Sequence, residues 1–323
     1  MKKAEIPAEH DPMRSAAYGG PGWVPRSATL AEDIGTLWTS CGVCAEWTPL
    51  RSVLLHRPGK ELAASRKPDA VQMLSPLDPG KAAREHDAIV EAFRREGVTV
   101  HAIEPGVEAP PNLMFAADLL FMTPEGAVVG RPASRVRAGE ERHMSRALGR
   151  IGIPILHTIR GDGTFEGADA MWIRPHHVLI GRGLRTNAPG VAQVAAVLEG
   201  MGVRATIVDL PVGTMHLMGM LRIVDSDLAL VWPERLAYTG VQALRDAGYR
   251  VLFFPDPQEA MHGQACNIVT LAPGRILAPD GNPNTLAFLR GEGLTCETVG
   301  VGELVKAAGA IGCLTGILHR DPP

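Results

Sequence analysis

The segment DAMWIRPHHVLIGRGLRTNAPGVAQVAAVLEGMGVRATIVDL, residues 169–210, contains the pattern that decides the fold. It begins with Asp169 before the apolar run AMWI, and the polar turn RPHH separates this run from VLIGRG. Two short apolar runs joined by a tight turn predict a β-hairpin. Apolar residues then recur at three-to-four spacing in APGVAQVAAVLEGM, which predicts a helix, and RATIVDL predicts a third strand. The segment therefore predicts a strand–turn–strand–helix–strand unit.

The same succession of elements recurs along the chain at a nearly constant interval. The residue just before the first strand of each unit is Asp118, Asp169, Gly219, Asn267 or Cys313. These positions are 51, 50, 48 and 46 residues apart, counted from their residue numbers. Since a single unit of this kind cannot bury its apolar face alone, we expect five units to pack around a pseudo-fivefold axis.

The fifth unit contains one predicted strand, LTGIL, and its remaining elements are predicted near the N-terminus. RSVLLHRPG supplies the second strand, PGKAAREHDAIVEAFRREG the helix and VTVHAIEP the outer strand. Pairing of the N-terminal with the C-terminal strand closes the ring and leaves no sheet edge exposed there. The predicted fold class is an α/β, five-bladed β/α propeller. The alternative is a doubly wound α/β sheet, whose strands do not normally occur as turn-linked pairs between helices.

Composition indicates the domain organisation and the class of partner. Residues 1–46 are rich in Gly, Pro and small polar residues, so we expect an irregular N-terminal arm followed by one domain at 47–323. A formal net charge of -3, without a run of like charges, argues against nucleic-acid or anionic-membrane partners. No apolar stretch approaches the roughly 18 residues of a membrane-spanning helix, and the N-terminus has no signal-peptide pattern. We therefore expect a cytoplasmic protein with a small-molecule partner.

The repeat predicts a site, because equivalent positions of the five units face the common axis. The residues at and beside these positions supply three carboxylates, one imidazole, one amide and one thiol. They are Asp118, Glu166, Asp169, His216, Asn267 and Cys313.

A cysteine, a histidine and a carboxylate behind the histidine form the arrangement used in nucleophilic catalysis. The thiolate is the reactive form, and the imidazole transfers the proton. The remaining carboxylates need a cationic partner, and a planar guanidinium with its fork of N–H donors fits them best. A neutral amide or ester would leave buried charges unpaired. The sequence therefore favours a guanidino substrate.

The order and spacing of these motifs resemble the guanidino-group-modifying (pentein) superfamily, which includes arginine deiminases, dimethylarginine dimethylaminohydrolases and amidinotransferases. The resemblance covers the chain from about residue 47 to 320. Its motifs are MFAAD, FEGAD, GRGLRTN, the His-Leu pair at 216–217 and GCLTGILHR, and REHDAIVEAF resembles the family's first helix. The resemblance implies the pentein fold and a hydrolase that acts on C–N bonds of amidines.

By this resemblance Cys313 is the nucleophile that attacks the guanidino carbon and forms a covalent thiouronium intermediate. His216 protonates the leaving amine and then activates the water or amine that resolves the intermediate, and Glu166 orients His216. The products are ammonia or an amine and a ureido compound.

The predicted substrate-binding residues have different origins. The resemblance implies that Asp118 holds guanidinium N–H groups, that Asp169 supports Glu166 or the substrate, and that Arg185 meets a substrate carboxylate. Asn267 is predicted to bind the substrate because it occupies the repeated position before the first strand of the fourth unit. Met218 is included because of a departure from the family pattern.

Three positions depart from that pattern. Deiminases and amidinotransferases usually read His-Leu-Asp, whereas this chain reads His216-Leu217-Met218. The usual charged residue before the first Asp is Ala117, and the second Gly of the Glu-Gly-Gly-Asp motif is Ala168. Fewer carboxylates and a more apolar wall indicate a substrate with a substituted guanidino nitrogen, or one less cationic than arginine.

Two other functions use the same features. An amidinotransferase would pass the amidino group from Cys313 to an acceptor amine, and a non-catalytic binding ring would use the fold alone. We expect no metal and no organic cofactor, because the protein itself supplies nucleophile, acid/base and electrostatics. The expected partners are a small-molecule guanidino substrate and a second copy in a homodimer. The arm covers either the cavity mouth or a partner subunit, and its residues do not distinguish the two.

Overall fold

The computed structural model describes residues 14–63 and 67–323. Within these residues the chain has an α/β fold with five three-stranded sheets. In every sheet the middle strand is antiparallel to one neighbour and parallel to the other. A tight hairpin explains the antiparallel pair in four sheets, and a helical crossover explains the parallel pair. This confirms the predicted α/β fold and its strand–turn–strand–helix–strand unit.

The strands follow one another in a regular order. They are β1 (Leu50–Leu55), β2 (Thr99–Ala102), β3 (Leu120–Thr123), β4 (Gly126–Val129), β5 (Ile155–Thr158), β6 (Ala170–Arg174), β7 (His177–Arg182), β8 (Arg204–Asp209), β9 (Leu221–Ile223), β10 (Leu228–Val231), β11 (Arg250–Phe253), β12 (Val269–Ala272), β13 (Arg275–Pro279), β14 (Thr295–Val299) and β15 (Gly316–Arg320). The sheets are ordered β15-β1-β2, β3-β4-β5, β6-β7-β8, β9-β10-β11 and β12-β13-β14.

Among the described residues, five helices make the crossovers between parallel strands, and three shorter helices lie outside these crossovers. The helices are α1 (Leu30–Asp33), α2 (Pro79–Arg95), α3 (Glu140–Ile151), α4 (Ala188–Gly200), α5 (Tyr238–Asp246), α6 (Pro257–His262), α7 (Pro283–Gly291) and α8 (Ile311–Leu314).

Local sequence sets where the crossover helices begin and end. Asp78 caps α2 by accepting a hydrogen bond from the backbone N–H of Lys81, and Asn187 caps α4 in the same way. Each crossover helix is followed within two residues by a glycine with positive φ, a conformation that side chains disfavour. These glycines are Gly97, Gly152, Gly202, Gly248 and Gly293.

The N-terminal and C-terminal strands belong to the same sheet. β1 pairs antiparallel with β15, with Leu50 opposite Arg320 and Leu54 opposite Gly316, and pairs parallel with β2. The strand predicted at LTGIL begins two residues later than expected. Residues Ile311–Leu314 instead form α8, the helical turn that contains Cys313.

The core lies between the sheets and their helices, and large apolar side chains join neighbouring sheets. Trp172 of β6 stacks on Phe121 of β3 with ring centroids 5.8 Å apart. Its indole N–H donates to the carbonyl of Met122, so its polar group is satisfied although the side chain is fully buried. Side chains of this size each contribute about 1.5–3 kcal/mol by leaving water.

Residues 14–46 contain a 3-10 turn and the helix α1 but no strand. Thr29 and Glu32 form a capping box at the start of α1. Cys41, Val43 and Ala45 are buried, and Gly42 exchanges backbone hydrogen bonds with the β15 region. The end of the arm thus packs on the sheet that contains both β1 and β15. Among the described helices, none combines the length and apolar character needed to cross a membrane.

Candidate active site

A single helical turn precedes the first strand of four of the five units, namely β3, β6, β9 and β15. These turns contain most of the predicted site residues. Asp118 lies in the turn Ala116–Leu119, Asp169 in Gly167–Asp169 and Cys313 in α8. His216 immediately precedes the turn Leu217–Gly219, and Asn267 follows α6 two residues before β12. Because the units are equivalent, these turns converge.

His216 and Glu166 form a buried hydrogen-bonded pair. The distance between His216 Nε2 and Glu166 Oε2 is 2.6 Å, and both side chains are almost completely buried. The other imidazole nitrogen, Nδ1, lies 3.8 Å from Asp118 Oδ1. Glu166 therefore fixes the ring, and the opposite edge of the ring faces Asp118.

Asp118 shares its carboxylate between Arg137 and the cavity. Arg137 Nη1 donates to Asp118 Oδ2, while Asp118 Oδ1 is buried and has no hydrogen-bond partner among the described residues. An unpaired buried carboxylate oxygen has a high free-energy cost unless a ligand donates to it. This oxygen is therefore placed to accept an N–H group.

Arg137 is a fully buried cation that the sequence did not single out. Its guanidinium donates to Asp118 and, through Nε and Nη2, to Glu140, and Nη1 lies 3.5 Å from Glu166 Oε2. Phe115 lies beneath it, 5.9 Å from the guanidinium carbon to the ring centroid. Arg137 thus offsets the repulsion among three carboxylates.

Asp169 connects the backbone segments that contain Glu166 and His216 through hydrogen bonds. Its Oδ2 accepts from the Thr186 hydroxyl at 2.6 Å, and its Oδ1 accepts from the backbone N–H of Leu217 at 3.0 Å. The Thr186 hydroxyl in turn accepts from the backbone N–H of Glu166. Because all four groups are buried, Asp169 holds the segments on either side of the His216–Glu166 pair in register.

Cys313 is held by Asn267 at two points. The Asn267 Nδ2 group donates to the Cys313 sulfur at 2.9 Å, and Asn267 Oδ1 accepts from the Cys313 backbone N–H at 3.0 Å. Both ends of the Asn267 amide are thereby used in orienting the thiol.

Arg222 lies under the nucleophile segment. Its Nε donates to the carbonyl of Cys266, and its buried Nη2 has no hydrogen-bond partner among the described residues. A Cβ atom at Gly312 would lie 2.3 Å from Nη2, so any other residue at this position would require the Arg222 guanidinium to move. A buried positive charge therefore lies next to the backbone of Cys313.

These contacts determine the protonation states of the His216 imidazole and the Cys313 thiol. Burial opposes the imidazolium form of His216, but Asp118, Glu166 and Asp169 outweigh burial and raise the pKa of His216 to about 9. Burial and the Asp118 charge raise the pKa of the Cys313 thiol, against the opposing effects of Asn267 and Arg222. At neutral pH His216 is therefore charged and the Cys313 thiol is protonated.

The pKa values of the two buried carboxylic acids near His216 shift in opposite directions. Despite burial, the hydrogen bond to His216 and the charges of His216, Arg137 and Arg185 hold the pKa of Glu166 at about 2. Burial raises the pKa of Asp169 to about 6, although Thr186 and Leu217 donate to it. Glu166 is thus the permanently charged partner of His216.

Two adjoining cavities open at this site. Both are lined by Met215, His216, Ala308 and Cys313. The first, which we call the polar cavity, has a volume of about 20 Å³ and is further lined by Gln72, Asn112, Phe115, Asp118, Arg137, Arg185 and Ala307. The second, which we call the methionine cavity, has a volume of about 230 Å³ and is characterised by Met215, Met218, Met220, Met261 and Trp232.

Strained backbone is concentrated at these cavities. Among the described residues, Gln72, Gln264 and Ala308 are the non-glycine residues with positive φ, and all three line one or both cavities. Such conformations cost on the order of 1–3 kcal/mol each and persist where the surrounding structure enforces them. Their clustering supports a functional role for this region.

Asp118, Glu166 and His216 could bridge a divalent ion by spacing alone, since their ligand atoms lie within 4.8 Å of one another. However, Arg137 already contacts both carboxylates with a buried cation. The donor set is therefore electrostatically compensated by the protein itself.

The structure brings the predicted residues together, with differences in what each one contacts. Arg185 lines the polar cavity, and its Nη1 lies 3.4 Å from Glu166 Oε1. Met218 lines the methionine cavity.

Sequence reasoning missed Arg137, Glu140 and Arg222. The Arg-x-x-Glu spacing of residues 137 and 140 was a possible signal, but several arginines in that segment gave no means of choosing one.

We expect Arg137→Met to lower the free energy of unfolding by about 3–5 kcal/mol, because it leaves buried carboxylates without their cation. Urea denaturation followed by circular dichroism measures this. Arg182→Met is the matched control, since Arg182 forms a similar two-point pair with Asp209 at the surface, where about 1 kcal/mol or less is expected. Equal losses in the two variants would contradict the compensating role of Arg137.

Comparison with known proteins identifies relatives over most of the chain. A family model described as N,N dimethylarginine dimethylhydrolase, eukaryotic, matches residues 78–277. The N(G),N(G)-dimethylarginine dimethylaminohydrolase of Streptomyces coelicolor is 27% identical over 268 residues, which is 83% of this chain and 96% of that protein.

Solved structures share the fold. The DDAH of Pseudomonas aeruginosa, in complex with citrulline, superposes with a TM-score of 0.71 at 23% identity, over 84% of this chain and all of that one. SxtG, an amidinotransferase from Microseira wollei, superposes with a TM-score of 0.69 at 16% identity, over 88% of this chain and 98% of that one. These findings confirm the predicted resemblance to the pentein superfamily.

Proposed function

Since the chain belongs to the N,N-dimethylarginine dimethylhydrolase family of amidine-cleaving hydrolases, we propose that it hydrolyses a guanidino compound whose leaving nitrogen carries a substituent. One observation carries this proposal. Cys313, His216 and the unpaired oxygen of Asp118 surround one cavity, and Glu166 holds the histidine from behind. A thiol, an acid and a free carboxylate oxygen are the groups that a guanidinium needs for binding and cleavage.

In the proposed binding step, Asp118 Oδ1 accepts an N–H of the substrate, and Asp169 supports Glu166 without touching the substrate. Arg185 lines the polar cavity, where it can meet a substrate carboxylate. The substrate cation lowers the pKa of the nearby Cys313 thiol, which then loses its proton to solvent.

In the proposed first chemical step, the Cys313 thiolate forms a C–S bond to the central guanidino carbon. The charged His216 gives its proton to the substituted nitrogen, the C–N bond breaks, and the neutral amine leaves. A positively charged thiouronium remains on Cys313 while neutral His216 stays hydrogen-bonded to Glu166.

In the second step a water molecule adds to the thiouronium carbon and the C–S bond breaks. One proton of the adding oxygen returns to His216, the other converts the released amine to its ammonium form, and Cys313 leaves as thiolate. The net reaction converts a guanidinium and water into a ureido compound and an ammonium ion.

An amidinotransferase is the alternative, since it differs only in using an acceptor amine where the hydrolase uses water. Met218 argues against the transferase and equally against a plain arginine deiminase, because both usually have an aspartate after the His-Leu pair. Incubation with arginine, methylated arginines, agmatine and guanidino acids, with and without an acceptor amine, tests the proposal by mass spectrometry of the products. We expect ureido product in both cases. Amidino transfer without ureido product would establish the alternative.

A non-catalytic binding ring is the third possibility, and it predicts no covalent chemistry. Acid quenching during turnover followed by intact-protein mass measurement should detect an adduct on Cys313. Absence of turnover, of adduct and of substrate-protected alkylation at Cys313 would favour the binding ring.

We also propose that the five sheets form a closed ring around a pseudo-fivefold axis, with residues 47–323 as one catalytic domain. The β1–β15 pairing supports this closure.

We further propose a cytoplasmic location and a homodimer. The five free cysteines support a reducing, cytoplasmic location. Trp23, Val24 and Leu37 of the arm are exposed apolar residues, which supports a homodimer in which the arm covers a second copy.

A further inference from the structure

The two cavities at the active site differ in chemistry, although they share Cys313 and His216. The polar cavity contains Asp118, Arg137 and Arg185. The wall of the methionine cavity contains no carboxylate among the described residues, and its charged side chain besides His216 is Arg235. Arg235 is already occupied, since it donates to the Gly213 carbonyl and lies over the Trp232 ring. The methionine cavity is therefore a site for an apolar group.

The position of the reacting atoms divides a substrate between the two cavities. The guanidino carbon must lie at the Cys313 sulfur, and the nitrogen that Asp118 holds lies on the polar side. His216 must reach the leaving nitrogen, and it lines both cavities. The leaving nitrogen can therefore direct its substituent into the methionine cavity.

The size of the methionine cavity exceeds what one or two methyl groups fill. A cavity of about 150 Å³ is sufficient for benzene, whereas this one has about 230 Å³. Methionine side chains are flexible and polarisable, so they adapt to apolar groups of varied shape. Met215 and Met261 are 38% and 43% exposed at the mouth, so a bound apolar group would also remove them from water.

We propose that the methionine cavity binds a bulky apolar substituent, an aromatic ring or a branched alkyl chain, on the leaving nitrogen of the guanidino substrate. This inference rests on the proposed hydrolase function and makes its substrate class specific. The released product would then be an arylalkyl or alkyl amine larger than dimethylamine.

A substrate series tests the inference on the wild-type protein. The series consists of arginine and agmatine carrying methyl, dimethyl, propyl or benzyl on a terminal guanidino nitrogen, with the released amine measured by mass spectrometry. We expect kcat/KM for the benzyl compound of at least one series to exceed that of its methyl counterpart by about tenfold or more, because additional apolar groups are buried in the transition state. Equal or lower values for the benzyl compounds overturn the inference.

A cavity-filling variant localises the effect. Met261→Trp should lower kcat/KM for the benzyl compound by about tenfold while changing that for the methyl compound by less than about threefold. Phe253→Trp is the matched control, because Phe253 is 42% exposed, similar to Met261, but lies on β11 outside the cavity. Equal effects of the two substitutions would contradict this location.

The substrate series separates failure of the inference from failure of the proposed function. Turnover of methylated but not of benzylated compounds would leave the hydrolase proposal intact and overturn the inference alone. Turnover of none of the compounds would overturn both.

Discussion

Cys313→Ser is expected to lower kcat/KM by a factor on the order of 10⁴ or more while leaving the fold intact. A serine hydroxyl is a far weaker nucleophile than a thiolate at neutral pH, and nothing at the site serves as a strong base for it, because the raised pKa of His216 keeps the imidazole charged. The serine oxygen can still accept the hydrogen bond from Asn267, so stability should change by less than about 1 kcal/mol. Steady-state kinetics and thermal unfolding measure the two effects.

Cys296→Ser is the matched control for this substitution. Cys296 is a partly buried thiol on β14, outside both cavities. We expect it to retain wild-type kcat/KM. If Cys313→Ser keeps more than about a tenth of wild-type activity, the covalent mechanism is wrong, whatever the behaviour of the control.

Deletion of residues 310–323 is expected to abolish cooperative folding. The deletion removes α8 and β15, and with them the fully buried side chains of Ile311, Leu314 and Leu318. Burial of three such side chains contributes about 5–9 kcal/mol, comparable to the whole stability of a domain. It also leaves one edge of β1 unpaired. We expect loss of a single sharp transition in calorimetry and of near-ultraviolet circular dichroism.

A shorter deletion distinguishes the loss of β15 from the loss of chain length. Removal of residues 321–323 eliminates the exposed pair between Arg51 and Asp321 and the backbone hydrogen bond from Asp321 N–H to the Pro49 carbonyl, and it leaves β15 whole. We expect a stability change below about 1 kcal/mol. A cooperative transition in the protein that lacks residues 310–323 would show that the closed-ring proposal is wrong.

The sequence was sufficient to predict the units of the fold because each unit is local. Hairpin turns, helix periodicity and glycines after helices lie within about 50 residues of each other, and the same local rules apply in every repeat. The predicted helix PGKAAREHDAIVEAFRREG contains α2 almost residue for residue. The start of β15 was displaced because no local signal distinguishes the turn of α8 from a strand.

The site was predictable where the phase of the repeat determines position. Asp118, Asp169 and Cys313 follow from that phase, and the structure places them in equivalent turns. Arg137 was not predictable, because it lies in a connecting segment whose conformation depends on tertiary packing. Its significance comes from three carboxylates that converge on it only in the folded chain.

The size of the methionine cavity could not be predicted from the sequence either. Met215, Met218 and Met220 are close together in the sequence, but Trp232 and Met261 lie 12 to 41 residues further along the chain from Met220 and were not connected with them. A cavity volume depends on how far such side chains stand apart, and residue order contains no direct measure of that distance.

The pairing of β1 with β15 also determines when the protein can become reactive during synthesis. Leu54 and Gly316 are 262 positions apart, so this pairing is among the last contacts available to a chain that leaves the ribosome N-terminus first. A nascent chain that has emerged only as far as β14 already contains Asp118, Glu166 and His216 but not Cys313, the proposed nucleophile. The proposed reaction therefore becomes possible only after α8 and β15 have emerged and β15 has paired with β1.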